Sequence, residues 1–245
     1  MRFAATKTTR VARCRRRASP ARWGALLLLL WASGVVRVGG TADGAESPPI
    51  LPELVGGISP SAVFRTAGFF DAARACSPQY ALGEFQAAAA AHQQDCLAEF
   101  MKGHGATPQA IAFMRAAPVP AAIAAIREYG PTALVYASML WADGSDGWAI
   151  VGKSGVLVPL WWPPAIDNDP RYRAFVHAHP GVALWSDRID WPAADITANS
   201  VELPFVFSLK VCHACVTLGT ATVVYSFDRN GRYRGVRLRQ IAADY

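Results

Sequence analysis

The sequence predicts an α+β protein, with a helical N-terminal half packed against a mainly antiparallel β-sheet in the C-terminal half. Between about residues 60 and 128 the apolar residues recur at helical spacing. After Thr132 the pattern changes to short apolar runs separated by Gly/Asp/Asn turns. Most clearly, Val201, Leu203, Phe205, Phe207, Leu209 and Val211 alternate strictly with their neighbours. Helical signals followed by strand signals are the order expected of this class.

The chain begins with a basic run, Arg13, Arg15, Arg16, Arg17 and Arg22, followed by Ala25-Leu26-Leu27-Leu28-Leu29-Leu30-Trp31. A basic segment before a short apolar one has the form of a secretory signal. The apolar stretch 24–36 is shorter than the about 20 residues a bilayer span needs. Small residues place cleavage after Gly34, Ala42 or Gly44, so residues 1–44 are expected to be a signal peptide. Residues 45–59, with Ser47-Pro48-Pro49-Ile50-Leu51-Pro52, read as an extended lead-in, and 60–245 as one α+β domain. The leader also explains the charge. It holds nine of the 24 Lys/Arg and one of the 18 acids, leaving 15 against 17, a net charge of −2. The basic excess of the whole chain therefore gives no reason to expect nucleic-acid binding.

The elements follow in order. Ser61 is placed to cap a first helix bearing Val63, Ala67 and Phe70, and residues 81–102 are Ala-rich with Leu97, Phe100 and Met101 at helical spacing. Gly103-His104-Gly105 stops that helix, and Thr107-Pro108 supplies an N-cap and an N1 proline for the next. A last helix of this half is expected to carry Ile123 and Ile126 up to Gly130-Pro131. Strands are expected at 134–141, 148–151 and 156–160, then a short helix at 170–178. The 201–211 strand has its partner at 216–227, where a phase shift at Gly219 reads as a bulge. Arg229-Asn230-Gly231-Arg232 then turns the chain into a final strand through Val236 and Leu238.

Beyond the leader four cysteines remain: Cys76, Cys96, Cys212 and Cys215. An even number in an exported chain points to disulfides. Local pairing, Cys76 with Cys96 and Cys212 with Cys215, is the expected arrangement, the longer loop contributing about 3 kcal/mol. One geometric condition attaches to it. A single straight helix over 81–102 would hold Cys96 about 20 Å from Cys76, so that helix must break or the pairing must cross.

Cys212-His213-Ala214-Cys215 reads as the closed tip of a hairpin. The alternative is thiol-disulfide exchange at Cys212 and Cys215, since this spacing and a neighbouring histidine lower a thiol pKa. That chemistry usually places the first cysteine at a helix N-terminus, whereas a strand is expected to follow here. A metal site of Cys212, His213 and Cys215 is the third reading. It would need further ligands from His92, His104, His177 or His179.

Several patterns match a motif by letter only. Gly147-Trp148-Ala149-Ile150-Val151-Gly152-Lys153-Ser154 fits a phosphate-binding loop, but its interior is strand-forming and no helix follows. Asp143-Gly144-Ser145-Asp146-Gly147 opens like a calcium loop, yet Trp148 and Ser154 occupy the positions that need Gly and Glu. His177 and His179 are two apart and do not share a helix face. No set of residues marks a catalytic centre, and no cofactor is implied.

One bias remains. All six tryptophans beyond the leader, Trp141, Trp148, Trp161, Trp162, Trp185 and Trp191, lie within 141–191. Core filling is the simpler account of them. A contact platform for sugars or peptides is the other, with Trp161, Trp162 and Trp185 as its candidate residues. The sequence thus describes a periplasmic or secreted, disulfide-stabilised binding or structural module. Its expected partner is a cell-envelope glycan or protein, with the membrane met only during export.

Overall fold

Strands outnumber helices ten to four in the computed structural model, which describes residues 48–65, 67–76, 87–117, 119–139, 146–161 and 164–243, the side chains of 87–92 excepted. In chain order these are β1 (Ile50–Val55), α1 (Phe69–Ala75), α2 (Ala87–Gly103), α3 (Pro108–Ala116), β2 (Ala121–Tyr129), β3 (Thr132–Met139), β4 (Asp146–Gly152), β5 (Ser154–Pro159), α4 (Pro170–Ala178), β6 (Ala183–Trp185), β7 (Asp195–Ile196), β8 (Ser200–Lys210), β9 (Gly219–Asp228) and β10 (Tyr233–Ala243). The signal-peptide reading of 1–44 lies outside the described residues.

The strands form two antiparallel sheets. The first runs β1-β5-β4-β3-β2 and the second β10-β9-β8-β6, with β7 also paired to β8. Alternation along the first sheet sorts its residues into two cores. Ala133, Val135 and Ala137 of β3, Ala149 and Val151 of β4 and Leu157 of β5 pack with Phe69, Leu97, Met101, Phe113 and Met114 of the helices. Leu134, Ile150, Val156 and Val158 point the other way and pack against Leu203, Phe205, Phe207, Val223 and Phe227 of the second sheet. The result is three layers: helices, a sheet buried on both faces, and a second sheet.

This overturns the expectation of a helical N-terminal half set against a C-terminal sheet. Helices lie mid-chain, β1 falls in the segment read as an extended lead-in, and β2 lies in the stretch read as helical. Residues 50–55 pair with β5, and Leu54 is fully buried. Residues 60–62 form only a 3-10 turn, and α1 starts at Phe69 instead of near Ser61. The largest difference is β2. Its Ile123 and Ile126, three apart, imitate a helix face. In the structure Ile123 pairs with Ala137 and Ala125 with Tyr136, so Ala124 is an extra residue in the ladder. The bulge returns Ile126 to the face of Ile123, and both reach the helical core. Strand pairing has overridden an Ala-rich helical preference.

Elsewhere local chemistry sets the boundaries. Thr107 caps α3, its Oγ1 accepting from the Ala110 N–H at 3.2 Å, with Pro108 at N1. Asp169 caps α4 in the same way through the Arg171 N–H at 2.9 Å. The second-sheet hairpin pairs in continuous register from Ser200↔Asp228 to Leu209↔Gly219, so the phase shift near Gly219 is the strand's beginning and not a bulge. Deleting one large side chain from this inner face, such as Phe207, should cost about 3–5 kcal/mol.

At one end the layers are pinched together by three hairpin turns. Lys153 N–H donates to Pro131 O at 2.8 Å, and Ser154 Oγ donates to Gly231 O at 2.7 Å. Glycine is required there. A Cβ on Gly152 would sit 1.9 Å from Gly231 O, and one on Gly231 (φ 71°) 2.4 Å from both Lys153 N and Pro131 O. The letters of a phosphate-binding loop in 147–154 are thus the β4–β5 hairpin and its packing against the β9–β10 turn.

Candidate functional site

At the other end the two sheets part, and a cleft of about 740 Å³ opens between them. The side chains of β3 and β4 that faced the second sheet continue into it as Tyr136 and Trp148. Trp161, just after β5, lines it as well, and its ring meets Phe113 edge-on at 6.4 Å. From the second sheet come Trp185 at the end of β6 and the segment 186–191, which contributes Ile189 and Trp191. The four described tryptophans of the 141–191 cluster therefore converge on one cavity, each half-buried.

The aromatic groups are held by specific contacts. Trp148 meets Tyr136 at 4.7 Å and Trp191 at 4.9 Å, the latter pair nearly perpendicular at 82°. The Arg127 guanidinium lies 4.7 Å from the Trp191 ring, and Tyr129 Oη donates to Pro192 O at 3.2 Å, fixing the 186–192 segment against β2. Trp185 is anchored by its indole N–H, which donates to Lys210 O at 3.1 Å.

Polar groups stand among these rings. Tyr136 Oη donates to Asp146, and this hydrogen bond, with burial and the nearby negative charge, pushes the phenol up to about 12. Burial is the largest single influence on the Asp187 carboxylate and pushes it up, but the hydrogen bond and charge of Lys210, together with smaller hydrogen-bond contributions, outweigh it and hold Asp187 below the ordinary aspartate range. Lys210 itself is only 10% exposed, so this pair is partly desolvated. Asp190 accepts the Trp191 N–H at 2.7 Å and has no cationic partner among the described residues. Arg65 spends Nε and one terminal nitrogen on Ala124 O, at 3.0 and 2.7 Å.

The cysteines pair locally, Cys76 with Cys96 and Cys212 with Cys215. Cys76 caps α1 and Cys96 lies within α2, their Cα atoms 5.7 Å apart, while the 81–86 part of the expected helix lies outside the described residues. Cys212-His213-Ala214-Cys215 closes the tip of the β8–β9 connection, with Cys215 N–H donating to Cys212 O at 3.1 Å. No helix follows it; residues 216–218 lead directly into β9. The tip is also part of the cleft. His213 lines the rim, and its ring meets Trp185 at 5.5 Å.

Of the candidate contact residues, the structure brings Trp161 and Trp185 together in the cleft, while Trp162 lies outside the described residues, as does Trp141. Sequence reasoning did not single out Trp148, Trp191, Tyr136 or Asp190. The confinement of tryptophan to 141–191 was a signal for Trp148 and Trp191, and nothing in the sequence pointed to Tyr136 or Asp190. Among the described residues no three His, Cys, Asp or Glu side chains gather as a metal site, and no helix is long and apolar enough to cross a membrane. His213 faces Trp185 instead of a second ligand, and the side chain of His92 is outside the description. No known protein family, characterised protein or solved structure matches the chain.

Proposed function

We propose that this chain is an exported, disulfide-stabilised binding module that takes its ligand into the tryptophan-lined cleft, the Cys212–Cys215 bridge bracing its rim. The observation that carries the reading is the convergence of four half-buried tryptophans on one cavity at the open end of a sandwich. Core filling would place such rings inside the sheets, where Phe205, Phe207 and Phe227 are found instead. A concave site with aromatic walls and a few fixed polar groups is the usual form of a ligand pocket. Export is supported by the leader-like character of 1–44 and by two disulfides that suit an oxidising compartment.

The reading is tested in two steps. Expression in an exporting bacterial host should yield a chain cleaved between 34 and 44, with both disulfides formed. Full-length reduced protein in the cytosol would remove the export claim. Tryptophan fluorescence of the purified chain should then respond to members of a panel of envelope glycan fragments and peptides, and Trp185→Ala should abolish most of that response. Silence across the panel would remove the binding claim. The Cys212→Ser/Cys215→Ser double variant separates this role from redox chemistry: loss of stability or rim order supports the brace, whereas loss of a thiol-exchange activity with binding intact supports the alternative.

A further inference from the structure

We infer that the ligand of the cleft is a neutral oligosaccharide, an assignment that rests on the binding role just proposed and adds the chemical class. The walls carry indoles set at different angles, Trp148 of the first sheet nearly perpendicular to Trp191 of the 186–191 segment, with Trp185 at the end of β6 beside them. A pyranose ring has an apolar C–H face, weakly positive, that matches the negative face of an indole, and hydroxyls around its rim that need both donors and acceptors.

The charges in the cleft argue for a ligand without net charge. Asp187 is already paired to Lys210, and Asp146 already accepts the Tyr136 hydroxyl. What remains open is one acceptor, the Asp190 carboxylate, and one donor, the unused N–H groups of Arg65. A phosphorylated, sulfated or uronic-acid polymer would meet three aspartates, and like-charge juxtaposition is strongly disfavoured. A polycation would find Arg65 in the lining, Arg127 over Trp191, and the Asp187 charge already paired with Lys210.

An extended peptide is disfavoured for a different reason. Such ligands bind largely by adding a strand to an open sheet edge. The β2 edge bordering the cleft is occupied: Ile123 O accepts the Phe64 N–H at 2.9 Å, and Ala124 O accepts both donors of Arg65. The cleft therefore offers ring faces and isolated polar groups without a backbone ladder on that side, which suits a chain of sugar rings.

The test is calorimetric titration of the disulfide-intact chain with three neutral hexasaccharides (chitohexaose, cellohexaose and maltohexaose), with hexagalacturonate, and with an uncharged hexapeptide. At least one neutral sugar should bind, with an affinity little changed by added salt. Trp185→Ala should weaken it by about tenfold, the scale of one lost aromatic contact. Asp190→Asn should weaken it several-fold. Trp148→Ala should weaken it as well, with Trp148→Phe in its place where the alanine variant fails to fold, and circular dichroism confirms the fold of each variant. Trp185-dependent binding of hexagalacturonate or the peptide, with none to the neutral sugars, overturns the sugar assignment and leaves the binding cleft standing. No heat or fluorescence change with any of the five probes overturns both.

Discussion

At the mouth of the cleft the Tyr136 hydroxyl donates to Asp146, and the pair sets a pH response that belongs to single residues. With its pKa raised from 10 to about 12 by that hydrogen bond and by burial, Tyr136 favours the folded state below pH 10, and that contribution is lost as pH rises through about 12. Asp146→Asn should return the phenol toward 10. A tyrosinate absorbance titration, taken as the difference from Tyr136→Phe, reads this directly. An unchanged titration in Asp146→Asn would mean that Asp146 does not control the phenol. The Cys212–Cys215 bridge acts at the same scale. Closing so short a loop contributes only about 2 kcal/mol on the chain-entropy model. Its larger effect should be local: Cys212→Ser/Cys215→Ser should broaden the His213 ring signals and alter Trp185 fluorescence while lowering Tm by a few degrees. Residue chemistry was legible where it is local, as in these disulfides and the Thr107 cap. Trp148 and Asp190 were not legible as a site, because one lies on β4 and the other in the irregular segment after β6, and only the parting of the layers brings them into one cleft.

Among the elements, α4 depends on a single corner. Asp169 caps the helix and also receives the Arg171 guanidinium at 2.8 Å, while Arg171 donates to Leu238 O and Arg239 O of β10 at 2.7 and 3.0 Å. These bonds, the Arg171 side chain first, hold the Asp169 carboxyl down at about 2. A depressed carboxylate pKa stabilises the fold above its unfolded value near 4, and the contribution disappears as pH falls from there through about 2. Asp169→Ala should therefore cost about 1 kcal/mol at neutral pH, a normal capping loss, and Asp169→Asn should flatten the acid limb of stability. Hydrogen exchange of the α4 amides checks both. This helix, α3 and the β8–β9 ladder were readable because caps and alternation agree with the final packing. The strand β2 was not, because its bulge at Ala124 converts a period of two into an apparent period of three. Only its partner β3, with its own alternation of Ala133, Val135 and Ala137 against Leu134, shows which is correct.

For the whole molecule, the order of helical and strand signals along the chain did not reveal the layering. A middle sheet buried on both faces needs apolar residues at most positions of β3 to β5, and such runs look like any buried strand until both covering layers are known. The layers themselves are joined at the glycine pinch. Gly231→Ala should be strongly destabilising, since its φ of 71° disfavours a side chain and its Cβ would meet two backbone atoms at 2.4 Å. Thermal unfolding should show a Tm drop larger than that of an exposed Gly→Ala control at Gly103, where nothing lies within 4 Å. The pinch has a mechanical meaning as well. From Thr132 to Met139 the strand β3 reaches from the closed end toward the cleft, about 23 Å at about 3.3 Å per residue. On an arm of that length a tilt of about 2° at the turns would move the aromatic jaws by roughly 1 Å, about the error that spoils a fitted site. Three backbone turns at the far end thus act as the calibration of a caliper, and changes there should register in the gap between the jaws before the rest of the fold gives way.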